Sequence, residues 1–183
     1  MTMSLPLNKR EILETMLIND KPAKATDIAK DTGRDFKPVM MHILGLIRMG
    51  YAYTPEKGLY VITGKGKQAL GLPETSKEAA KTIIAQIPLS KAFHFYADIG
   101  KPLNVYAYRL QDFPDKIQKA GSNSVEFHLK RGDFEAWFAE LGDLELTKKA
   151  SLLKERKIME PDLSSRLHNL VEKRLRELAV LAC

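Results

Sequence analysis

Apolar residues recur at helical spacing along most of the chain, and short alternating runs interrupt them. Ile12, Leu13, Met16 and Leu17 share one helical face behind Asn8, a suitable N-cap, and this helix is expected to stop near Asn19-Asp20, with Pro22 just beyond. Thr26 is placed to cap a short second helix through Ile28 and Ala29, ended by Gly33. A third helix is predicted from about Asp35 to Met49, with Phe36, Val39, Ile43, Leu46 and Ile47 spaced for burial. Pro38 falls in its first turn, where a missing amide donor costs little, and Gly50 follows its end. Tyr51-Ala52-Tyr53 then reads as one strand, residues 55–58 as a turn and Leu59 to Thr63 as the return strand, leading through Gly64-Lys65-Gly66-Lys67 into a short helical end.

Beyond a short connection at residues 71–75, Ser76 is a plausible cap for a helix through Ala79, Ile83, Ile84 and Ile87. Residues 92–96 alternate like a short strand, and a turn is expected around Gly100-Lys101-Pro102. Val105, Tyr106, Leu110, Phe113 and Ile117 then recur at helical steps, with a break or restart at Pro114, and residues 121–123 read as a loop. Asp133 is placed to cap a helix burying Phe134, Trp137 and Phe138. The last helix, from Pro161 to Cys183, carries an apolar stripe of Leu163, Leu167, Leu170, Val171, Leu175, Leu178 and Leu181, with Arg166, Lys173, Arg174 and Arg176 on its polar face. That stripe closes the second domain or pairs with its twin in a homodimer, and the pattern leaves both open.

The predicted fold class is mainly α with a small β component. The domains expected are 1–71, a connecting helix in 72–91 and a predominantly helical domain over 92–183. A chain of 183 residues can bury a core without staples, and 44% apolar with 28% charged residues argues against long disorder. The longest near-apolar stretch, Met40 to Leu46, is far too short to span a bilayer, and Met1 to Lys9 lacks the apolar core of a secretory signal. The single cysteine, Cys183, permits neither an internal disulfide nor a cysteine metal site. These features lead to the expectation of a soluble, cytoplasmic protein without membrane partner, metal or cofactor. Four of the six net positive charges lie in residues 1–70, a modest pointer toward a polyanion.

The order helix, helix, turn, helix and two-stranded hairpin in residues 7–71 resembles the winged helix-turn-helix domain of bacterial and archaeal transcription regulators. The residues that carry the resemblance are Ala25 to Ala29, Thr32-Gly33-Arg34, the Val39, Ile43 and Leu46 face, and Leu59 to Gly66. The resemblance implies a third helix in the major groove of duplex DNA and a hairpin on the backbone. With Val39, Ile43 and Leu46 inward, Lys37, Met40, Met41, His42, Gly45 and Arg48 form the expected outward set, and the DNA-contact residues expected are Lys37, Met41, Arg48, Lys57, Lys65 and Lys67. Methionines and glycine offer no hydrogen-bonding side chain to a base edge, so the surface suits gripping DNA better than reading it. The same apolar surface suits the alternative, a protein-interaction or scaffolding module.

Residues 92–157 are similar to a mainly archaeal domain family of unknown function. Its motifs appear here as Ser124-x-x-x-His128, Arg131-Gly132-Asp133-Phe134-x-x-Trp137 and Gly142-Asp143. His128, Arg131 and Asp133 are raw material for acid–base chemistry, yet no nucleophile, phosphate loop or metal-ligand spacing accompanies them. They therefore read as a structural motif in which Asp133 caps the following helix, with no catalytic residue assigned. A ligand pocket lined by Phe93, Phe95, Tyr106 and Trp137 is the alternative to their forming core.

Overall fold

The computed structural model describes residues 5–19, 21–158 and 161–183. It is mainly helical, with two small sheets, and divides into compact units Met1–Glu74 and Thr75–Cys183.

In the first unit, α1 (Leu7–Ile18), α2 (Ala25–Thr32) and α3 (Phe36–Arg48) pack through Ile12, Leu13, Ile28, Val39, Ile43 and Leu46, all fully buried. Pro6, not Asn8, precedes the first turn of α1, and Asp20 lies outside the described residues. Likewise α2 begins at Ala25, so Thr26 sits within its first turn instead of capping it. Gly33 ends α2 at φ 62°, a left-handed position that costs glycine little, and Arg34 just beyond bonds Glu11 of α1 through Nε at 3.0 Å. A short strand β1 (Ala23–Lys24) joins β2 (Ala52–Tyr53) and β3 (Leu59–Ile62) in an antiparallel sheet ordered β1-β3-β2.

Thr63 fastens the hairpin to the next helix. Its hydroxyl donates to Gly50 O at 2.7 Å and accepts from Gly66 N at 3.0 Å, capping α4 (Gly64–Ala69). Gly66 packs so closely that a Cβ there would meet the Tyr51 carbonyl oxygen and come within 2.8 Å of Ile62 Cγ1.

The second unit starts with α5 (Lys77–Ile83), capped by the Ser76 hydroxyl at 3.1 Å from Ala79 N. This helix packs on the last helix of its own unit, and so belongs with it. Strands β4 (Phe93–Asp98) and β5 (Lys101–Ala107) form an antiparallel ribbon. The helical steps read from Val105 onward were misleading: residues 101–107 are strand, because pairing with β4 overrides a period that only begins at Leu110. Pro114 does mark a restart, lying in the first turn of α6 (Phe113–Ala120). The expected loop at 121–123 is shorter, since α7 (Ser122–Arg131) starts directly after Gly121, whose φ of 79° makes the break. α6 and α7 pack on the ribbon, and α8 (Asp133–Leu141) and α9 (Leu144–Glu155) pack on α7 and on each other.

α10 (Asp162–Ala182) packs through Leu163, Leu167, Leu170, Val171 and Leu178 on α5, α6, α7 and α9. The stripe thus closes its own unit, while Leu175 is only half-buried and Leu181 exposed. Arg174, expected on the polar face, is buried instead. Its Nε meets Asp143 at 2.9 Å, its Nη1 meets Glu145 at 3.2 Å, and its Nη2 donates to Thr75 Oγ1 at 2.8 Å. Lys149 bonds the other Glu145 oxygen at 2.7 Å, and Asp143 also caps α9 by accepting from Glu145 N and Leu146 N. No helix among the described residues is long and apolar enough to cross a membrane.

Candidate functional site

Two surfaces hold the residues singled out from the sequence, one in each unit. In the second unit, α7 lies against β4, and Ser124 and His128 are one helical turn apart on the same face. The N–H and C=O of one strand residue point to the same side, so two such side chains can hold both groups of a single residue. Tyr96 N donates to His128 Nε2 at 2.9 Å, and Ser124 Oγ donates to Tyr96 O at 2.7 Å. The ribbon register is irregular on both sides of Tyr96, where the helix thus supplies partners for its peptide groups. Trp137 adds a third clamp, donating through Nε1 to Lys91 O at 3.0 Å.

An amide can only donate, so His128 Nε2 accepts and the ring proton sits on Nδ1. Nδ1 in turn donates to Asp133 Oδ2 at 2.7 Å, and Arg131 Nε reaches the same oxygen at 3.1 Å. Asp133 is committed to these two partners and does not cap α8 with its side chain. Burial pushes the His128 pKa below its ordinary 6.5, against the hydrogen bond and charge of Asp133. Only 3% of the residue is exposed, and both ring nitrogens are engaged. The imidazole is therefore a neutral structural linker between a strand, a loop and a helix.

The aromatic pocket expected from Phe93, Phe95, Tyr106 and Trp137 is not a pocket. Phe93, Phe95 and Trp137 are core, with Phe93 stacked on Phe134 at 5.1 Å and edge-on to Trp137 at 5.5 Å. Tyr106 lies half-buried against His94, at 4.7 Å between ring centroids. A cleft of about 290 Å³ does open beside His128, between the β4–β5 turn and the C-terminal part of α7. It is bounded by Tyr96, Asp98, Ile99, Phe127, Arg131 and Asp133.

In the first unit, Lys37, Met41 and Arg48 are exposed on α3, and Lys57 is exposed in the β2–β3 turn. No hydrogen bond or ion pair holds the Lys37, Arg48 or Lys57 side chains among the described residues. Lys65 is different: its ammonium donates to Met49 O at 3.0 Å, at the carbonyl end of α3, and lies 5.4 Å over the Tyr51 ring. Lys67 is half-buried and has an interaction of its own. Met40, His42 and Gly45, expected outward, are half-buried. Met40 sulfur accepts from Tyr60 OH at 3.6 Å, and a Cβ on Gly45 would come 3.3 Å from Lys9 Nζ. In their place Phe36 and Leu44 emerge, at 49% and 42% exposure, beside Met41 at 74%. Phe36 is expected in the core; it is the first residue of α3, ahead of the buried Val39 turn, and about half of it stays exposed beside Lys24, Met40 and Leu59.

No protein-family model, curated protein or solved structure matches the chain. Among the described residues, no group of three His, Cys, Asp or Glu side chains is arranged to hold a metal ion. Sequence reasoning missed the Arg174, Asp143, Glu145 and Lys149 cluster, whose members are 29 to 31 residues apart or one helical turn apart. The Gly-Asp pair before α9 was the one visible signal of it.

Proposed function

We propose that the first unit is a winged helix that binds duplex DNA chiefly through its phosphates. The three helices, the sheet order β1-β3-β2 and the hairpin after α3 support this reading. The observation that carries it is the set of Lys37, Arg48 and Lys57, exposed on α3 and the hairpin turn without an acidic partner. Lys67 adds charge behind the hairpin, whereas Lys65 is already spent on Met49 and Tyr51 and contributes less. Met41 lies between the basic groups and offers van der Waals contact only. The second unit then serves as the sensing or association part of a regulator.

The test is titration of the full chain with mixed-sequence duplexes over a range of salt. Three to five phosphate contacts give log K against log salt a slope of about −3 to −4.5, and Lys57→Glu with Arg48→Glu weakens binding to every sequence alike. Undetectable or salt-insensitive binding at low ionic strength overturns it. That outcome leaves the protein-interaction reading, which rests on the outward Phe36, Met41 and Leu44 of the same helix.

A further inference from the structure

We propose that the cleft beside His128 is a binding site for a small aromatic carboxylate, held by the terminal nitrogens of Arg131. Three observations converge on it. Arg131 is fixed on two sides, by Nε on Asp133 Oδ2 at 3.1 Å and by its guanidinium lying 5.1 Å over the Phe127 ring. Its Nη1 and Nη2 have no partner among the described residues, so the fork that matches a carboxylate is both oriented and vacant. The cleft beneath it measures about 290 Å³, at the small end of ligand sites, and has aromatic walls in Phe93, Tyr96 and Phe127. Ile99, at its mouth, is 77% exposed and offers apolar surface that a bound ring would cover.

Charge narrows the class to a monoanion. His128 is neutral, and Asp133 accepts from Arg131 Nε and from His128 Nδ1–H, which leaves the Nη edge of the guanidinium free. Asp98 lies 3.6 Å from Lys101 Nζ and also accepts from Ile99 N at 2.7 Å. Arg131 is the one lysine or arginine lining the cleft among the described residues, and its Nη edge is the part left to meet a ligand. A phosphate dianion would bring a second charge beside two carboxylates with nothing to offset it, whereas a carboxylate uses the two nitrogens in full.

The site does not depend on the DNA reading, and its test contains no DNA. Benzoate is titrated into the full chain and followed by amide chemical shifts, with benzamide as the neutral isostere. A nine-atom ligand of ordinary efficiency gives a Kd on the order of 1 mM. Saturable shifts should centre on Ile99, Gly100 and Arg131, with benzamide weaker by about tenfold, and Arg131→Met should abolish that preference. Unchanged Trp137 emission in the variant shows that the unit remains folded. Equal binding of benzoate and benzamide, shifts centred elsewhere, no saturable shift at tens of millimolar benzoate, or a preference intact in Arg131→Met each overturns the proposal. A second variant, Ile99→Asp, leaves the clamp on Tyr96 untouched and should weaken benzoate by placing a like charge at the mouth; unaltered affinity there also counts against the site.

Discussion

The two units solve the same packing problem with different materials. The first is held by an apolar core in which Thr15 is the one buried polar side chain among the described residues, and its hydroxyl simply donates to Glu11 O one turn back. The second buries Ser124, His128, Asp143, Glu145, Lys149 and Arg174; Ser124 and His128 hold the peptide groups of Tyr96, Asp143 caps α9, and Arg174 and Lys149 pair with the buried carboxylates. The first unit pairs its backbone within its helices and a three-stranded sheet, and the side chains that complete it, Thr63 at Gly50 and Gly66 and Lys65 at Met49, lie outside its apolar core. A two-stranded ribbon has peptide groups left over on β4, and a chain of short helices has many ends. Both kinds of orphan need side-chain partners. Ser124, His128 and Asp143 are therefore buried because of the topology, and Arg174 follows as the partner of the buried Asp143.

Removing Arg174 tests this contrast hardest. Asp143, with none of its surface exposed, and Glu145 would lose their guanidinium partner in the dry interior, whereas Thr75 would lose only a hydrogen bond. Arg174→Met should cost about 3–5 kcal/mol, because a buried charge left unpaired costs far more than the pair gains. Trp137, the only tryptophan, reports on the second unit alone, so urea unfolding followed by its fluorescence isolates the effect. A loss below about 1 kcal/mol would mean that the cluster behaves like an exposed surface pair.

This contrast also explains which features were legible in the chain alone. In the first unit, helix order, hairpin and the inward Ile12, Ile28, Val39 and Ile43 faces follow from periodicity, because burial there is almost wholly apolar. Errors were local: Phe36 obeys the helical period yet sits at a helix start that leaves half of it exposed, and Gly45 faces Lys9 of another helix. In the second unit, the Trp137 and Phe138 face of α8 and the stripe of α10 were legible for the same reason. Arg174 was not, since an arginine in an otherwise polar row carries no sign of two carboxylates some 30 residues away. His128 and Asp133 were visible as a motif. A structural role could be read for them, but the partner of His128 could not, because it is a backbone amide, and any residue at position 96 except proline supplies one.

A glycine gives the matching test in the first unit, where hydrocarbon packing and close backbone approach carry the load. Gly66→Ala would drive a methyl group into the Tyr51 carbonyl oxygen and Ile62 Cγ1, neither of which is the free end of a flexible chain. Overpacking of this kind should cost about 1–3 kcal/mol, less than the charge deletion in the second unit. Amide hydrogen exchange in α1 and α3 measures it, with Trp137 emission unchanged. A neutral substitution would show that the hairpin shifts to make room.

The smallest effect expected is the titration of one proton, and it probes the clamp without altering the chain. Native His128 is held neutral, because Nε2 accepts from Tyr96 N and a proton there would face the amide hydrogen. The unfolded chain takes up that proton as pH falls through 6.5, while the native state binds it only at lower pH. With more protons bound to the unfolded state in this interval, stability falls as pH drops and levels off below the native pKa. The unit contains two other histidines, His94 and His168, so the slope is read as a difference between parent and variant. His128→Gln should start less stable at neutral pH, having lost the Nδ1–Asp133 bond, and should then lose less on acidification than the parent. Parallel curves for the two proteins would mean that protonated His128 is tolerated in the fold. Tyr96 would then be held by Ser124 and its strand neighbours alone, and the buried histidine would be no more than a space-filling ring.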